Sequence, residues 1–120
     1  MEDKMSSVKR PINIHKAYHA HVYFDESTLA LAKDLCQLAD ELHKVRVGRI
    51  HEKLVGPHPK WSCQIAFSSN VFDALIPWLE KHRQGLSVLV HGVTGDDLKD
   101  HTEYAYWLGE PEELRLAMFQ

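Results

Sequence analysis

The sequence predicts an α+β domain, and three observations lead there. Four segments alternate or run apolar in the manner of strands. Two others carry apolar residues at helical spacing. Their order along the chain is βαββαβ. The size agrees: 120 residues with 44% hydrophobic and 26% charged content suit a single domain with a real core.

Residues 1–14 (MEDKMSSVKRPINI) are polar around Pro11 and are expected as a flexible tail, leaving one domain at 15–120. AYHAHVYF, residues 17–24, is the first strand. Its alternation puts Tyr18, Ala20, Val22 and Phe24 on a core face and His19, His21 and Tyr23 on the other. Asp25 is placed to cap the first helix, whose stripe is Leu31, Leu35, Leu38 and Leu42, with His43 and Lys44 complementing its C-terminal dipole. VRVGRIH (45–51) is the second strand, and Gly56-Pro57-His58-Pro59 a turn. WSCQIAF (61–67) is the third, with Cys63, Ile65 and Phe67 inward. Ser68, Ser69 and Asn70 offer caps for a second helix bearing Phe72, Leu75, Ile76 and Leu79, which Pro77 is expected to kink and Gly85 to stop. LSVLVH (86–91) is the fourth strand. Beyond it lie a polar loop, a helical stretch near 97–104 and a last strand near 114–119.

This order is the ferredoxin-like arrangement: one antiparallel sheet with both helices on one face, plus a C-terminal extension. Its first strand lies between the third and fourth, which brings His19 beside His91, with His21 two residues further along the same face. Three imidazoles converging on the face without helices would hold a divalent metal with coordination positions left open. The count of 9 histidines gives that reading weight, since histidine is the commonest metal ligand. The plainer reading of a strand histidine is a surface residue, and it is preferred for His15 and His51; His43 and His82 read as helix C-terminal charges. Leaving Tyr23 on an uncovered face exposes an apolar patch, from which pairing of two sheets is expected.

Several function classes are disfavoured. Lys+Arg 14 against Asp+Glu 17, a net charge of -3, gives no basic surface for nucleic acid. HGVTGDD (91–97) lacks the lysine of a phosphate loop, and neither cysteine carries a nucleophile signature. Cys36 and Cys63 form no CxxC pair and read as two buried free thiols of a reducing compartment. With no apolar N-terminal run and no stretch of about 18 apolar residues, a soluble cytoplasmic protein that avoids membranes is expected.

YHAHVYF (18–24), GRIHEKLVGPHPKW (48–61), FDALIPWL (72–79) and LSVLVHGVTGDDLKDHTEYAYWLG (86–109) together resemble the DOPA 4,5-dioxygenase family. The resemblance implies a small ferredoxin-like homodimer that opens a DOPA-like catechol with O2, next to the hydroxyl pair, at a non-haem iron. By position the family's histidines fall on His19, His21, His58, His91 and His101. On this basis His19, His21 and His91 are expected as ligands of Fe(II), with zinc the alternative occupant after purification. His58 and His101 are expected as acid/base or substrate-orienting groups, and Arg49 as a partner for a substrate carboxylate. Asp100 is the alternative ligand if a carboxylate completes the set. One departure is Gly92, where the family often has proline; it is expected to loosen the hold on His91. Two other classes stand beside the enzyme: a non-catalytic metal- or aromatic-ligand-binding dimer of the same fold, and a plain interaction domain.

Overall fold

The computed structural model describes residues 8–119. Strands β1 (Ala17–Phe24), β2 (Arg46–His51), β3 (Trp61–Ser68), β4 (Val88–Gly92) and β5 (Ala105–Leu108) form one antiparallel sheet in the order β2-β3-β1-β4-β5. Helices α1 (Leu29–His43) and α2 (Ser69–His82) cover one face, and the short α3 (Asp97–Asp100) leads into β5. The βαββαβ order and the central place of β1 are as the sequence predicts, within an α+β fold compatible with the ferredoxin-like arrangement.

The parity of β1 governs the two faces. Tyr18, Ala20, Val22 and Phe24 join Cys63, Ile65 and Phe67 of β3 beneath the helices. Asp25 accepts from the backbone N–H of Ser27 and Thr28 while Thr28 Oγ1 accepts from the Asp25 N–H. This capping box starts a 3-10 turn (Glu26–Thr28) that runs into α1. The buried stripe of α1 differs from the expected one. It consists of Ala32, Leu35, Cys36 and Ala39, while Leu38 and Leu42 are 44% and 60% exposed. Small residues let the helix approach the sheet closely and turn the leucine row towards its flank. Pro77 leaves α2 unbroken, because Pro77 and Asp73, whose carbonyl loses its donor, both lie on the exposed side where water can serve it. Cys36 and Cys63 are buried free thiols.

Three expectations for the other face are corrected. The sheet has five strands, and the fifth is Ala105–Leu108; the expected strand near 114–119 is instead a 3-10 turn at Leu116–Phe119. All four β5 residues are buried, so no alternation marks the strand, and the expected helix over 97–104 ends at Asp100. The face opposite the helices is also not bare. Tyr23, Leu89, Ala105 and Trp107 form a second small core, with Val8 and Leu114 packed against it. The C-terminal segment crosses this face: Ser87 Oγ donates to the Glu110 carbonyl at 2.6 Å, and the Arg115 N–H to the Pro57 carbonyl at 2.8 Å. Tyr23 is only 1% exposed, so the patch from which sheet pairing was expected is absent from the surface of one chain. The described part of the expected tail is tied to β5. The Trp107 N–H donates to the Lys9 carbonyl, and Arg10 Nη1 to the carbonyls of Trp107 and Gly109. Residues 1–7 of that tail lie outside the described residues.

Candidate metal centre

β1 pairs with β4 so that His19 faces His91 directly, and period-two spacing brings His21 to the same side. Each of the three offers a ring nitrogen, and these lie within 4.8 Å of one another. His21 Nε2 and His91 Nε2 are 3.0 Å apart. The donor set suits a divalent ion: two nitrogens each about 2.1 Å from one ion at near right angles would themselves be about 3 Å apart. His91 donates its Nδ1–H to the Gly92 carbonyl at 2.8 Å, which fixes the ring and leaves Nε2 with a lone pair.

Two more histidines close the group. His58 arrives on the Pro-rich turn, its ring 4.1 Å from that of His21. His101 follows α3, its ring 4.3 Å from that of His91 and stacked at 4.9 Å on Phe119. The structure thus gathers His19, His21, His58, His91 and His101, from four separate stretches of chain, on one side of the sheet. A hollow of about 360 Å3 adjoins His101, walled by Val8, Ala105, Trp107, Leu114 and Leu116. That volume lies in the range of small-molecule sites.

Burial and mutual repulsion favour the neutral form of His19, His21, His58 and His91. Burial, then the neighbouring His58 and His91, hold His21 well below the usual imidazole value. Burial first, and then His101, bring both His58 and His91 down to about 4. His19 is lowered by burial and by His101. Neutral imidazoles are the form that binds a metal and the form that can accept a proton.

The remaining candidates are placed differently. Asp100 is 3% exposed, and its carboxylate accepts from the Thr94 N–H at 3.0 Å and Thr94 Oγ1 at 2.6 Å. It clamps the loop between β4 and α3 and is not one of the convergent donors. Arg49 is exposed on the edge strand, in a bulge where three steps of β2 oppose two of β3. Its level is that of Gln64, whose other neighbour is His21, so it stands two strand spacings, about 10 Å, from the cluster. Gly92, expected to loosen its segment, is buried, with its N–H donating to the Tyr104 carbonyl at 3.1 Å. Among the histidines expected as bland, His15 packs its ring on Gly92, and His43 and His82 lie against Trp78.

Sequence reasoning missed one functional group, the Tyr23 hydroxyl, which lies 2.7 Å from His58 Nδ1. Parity had put Tyr23 on the histidine face, but its partner sits 35 positions away on an irregular turn.

The model of the Dopa 4,5-dioxygenase family matches residues 18–118. A DOPA 4,5-dioxygenase from Amanita muscaria is 31% identical over 111 residues, 85% of this chain and 49% of the relative. An uncharacterized 21.2 kDa protein from Botryotinia fuckeliana is 32% identical over 117 residues, 88% of this chain and 64% of the relative. The chain therefore spans about half to two thirds of the length of these two proteins. The crystal structure of a "putative dioxygenase" from Nostoc punctiforme superposes with a TM-score of 0.82 at 38% identity, covering 97% of this chain and 94% of that one. Among the described residues no helix is long and apolar enough to cross a membrane.

Proposed function

The chain belongs to the Dopa 4,5-dioxygenase family, and we propose that it opens the ring of a catechol with dioxygen, next to the hydroxyl pair. The observation that carries this reading is the convergence of three ring nitrogens within 4.8 Å, bordered by the rings of His58 and His101.

His19, His21 and His91 would hold a divalent metal, Fe(II) for this reaction and zinc as an alternative occupant. Bound Fe(II) would supply Lewis acidity to ionise the catechol and an electron relay to dioxygen, whereas zinc would supply the Lewis acidity alone. The chain's own groups do the rest. Trp107, Leu89 and Tyr23 form an apolar wall that excludes water beside the rings. His58 and His101 flank the ligands and move protons to and from the substrate oxygens, a task suited to imidazole. Arg49, exposed on the edge strand about 10 Å from the cluster, is the group assigned to a substrate carboxylate.

Anaerobic loading with Fe(II), followed by oxygen uptake and product spectra against a panel of catechols, tests the proposal. Catechol-dependent uptake with a ring-opened chromophore is expected. Metal retention without uptake across the panel would overturn it in favour of a metal- or aromatic-ligand-binding protein.

A further inference from the structure

The two histidines that flank the ligands are held by partners of opposite kind. His101 Nδ1 lies 2.7 Å from the Asp97 carbonyl oxygen, which can only accept. In the neutral ring the proton of His101 is therefore on Nδ1, and the lone pair on Nε2. His58 Nδ1 lies 2.7 Å from the Tyr23 hydroxyl, and both residues are buried. Among the described residues that hydroxyl has no other hydrogen-bond partner. A buried O–H left without an acceptor is costly, so Tyr23 donates to Nδ1 and the proton of His58 resides on Nε2. Among the described residues His58 Nε2 has no protein partner and is not one of the sealed, unpaired polar atoms. It is therefore not fully sealed from solvent.

We propose that Tyr23 is a positioning residue that fixes His58 as the hydrogen-bond donor of the site, opposite His101, which Asp97 fixes as its acceptor. The two rings then have distinct tasks. His101 Nε2 is set to receive a proton from a catechol hydroxyl. His58 Nε2–H is set to donate a hydrogen bond to an oxygen on which negative charge gathers. The assignment of tasks rests on the ring-opening reading; the proton positions do not.

Ring-nitrogen NMR of 15N-histidine-labelled, zinc-loaded protein reads the tautomers directly. His58 is expected as the Nε2–H form and His101 as the Nδ1–H form. Tyr23→Phe should erase the preference at His58 and leave His101 unchanged. In the same zinc-loaded protein, Tyr23→Phe should weaken binding of 4-nitrocatechol dianion about tenfold. In a His58→Gln background, where the amide supplies its own donor, the same change should cost less than about twofold. An Nδ1–H tautomer at His58, or a Tyr23→Phe spectrum identical to the parent, overturns the inference. An equal loss of affinity in both backgrounds also overturns it, by making Tyr23 a packing residue only. Tautomers as expected in a protein that opens no catechol would sink the ring-opening reading and leave the Tyr23–His58 arrangement standing.

Discussion

Gly92→Ala is the substitution whose consequence follows most directly from distances. A Cβ at residue 92 would lie 2.8 Å from Cδ2 and Cγ of His15 and 3.0 Å from its Nδ1. Ordinary carbon contacts begin near 3.5 Å, so the imidazole must retreat by roughly 0.7 Å. It has little freedom to do so. Its Nε2 lies 3.0 Å from the Tyr106 hydroxyl, and its ring meets those of Tyr18 and Tyr104 edge-on at 5.5 and 4.8 Å. The backbone is held too, through the Gly92 N–H on the Tyr104 carbonyl. Overpacking of this kind costs about 1–3 kcal/mol. The Gly92 carbonyl also receives the His91 Nδ1–H, so displacement there should loosen zinc by about tenfold. Urea unfolding of the metal-free protein and a zinc titration measure the two effects. In a His15→Ala background the obstruction is gone, and Gly92→Ala should cost less than about 0.5 kcal/mol. Equal costs with and without His15 would refute the reasoning. A proline at 92 would add a lost N–H to the same clash with His15.

Other outcomes follow from the cluster. His21→Ala should remove most bound metal and any catechol-dependent oxygen uptake, whereas His58→Ala should keep metal and slow turnover; metal analysis with oxygen uptake separates the two roles, and the reverse pattern would overturn the ligand assignment. Metal-free protein should lose stability in acid. The folded His91 titrates at about 4 and the unfolded one near 6.5, so its neutral form contributes fully above about pH 6.5. That contribution, about 3 kcal/mol, is lost as pH falls towards 4, and His58 acts in the same direction. A urea midpoint unchanged between about pH 7 and pH 4.5 would contradict this. The homodimer implied by the family resemblance is checked by sedimentation at micromolar concentration, where a strictly monomeric species would count against it.

Much of this was legible because β1 has a strict period of two. From Tyr18 to Phe24 the alternation separates core from site, and strand order alone sets His19 against His91. The failures have local causes. Four consecutive buried residues in β5 carry no alternation, and the polar run before them imitates a helix. The α1 leucines mark a helix correctly, but which side packs depends on how near small residues let it approach. The roof over the site is built from turns and a C-terminal segment whose course follows single hydrogen bonds, such as the Arg115 N–H to the Pro57 carbonyl. No sequence period encodes those. The tautomer of a histidine is likewise set by one neighbour, and Tyr23 and Asp97 reach His58 and His101 only once the chain is folded.

The alternation in β1 has a consequence for how the chain finds its pairing. A slip of β1 by one residue against β4 would turn His19 and His21 beneath the helices and Ala20 and Val22 outward. A slip of two in the direction that carries His21 away from His91 would keep the faces but scatter the three rings. Neither error can assemble three nitrogens around one ion. A bound metal would therefore add its binding free energy to the native register and not to these slipped ones, as any ligand of the native state does. An ion held there would bias the strand pairing in addition to serving any chemistry at the site.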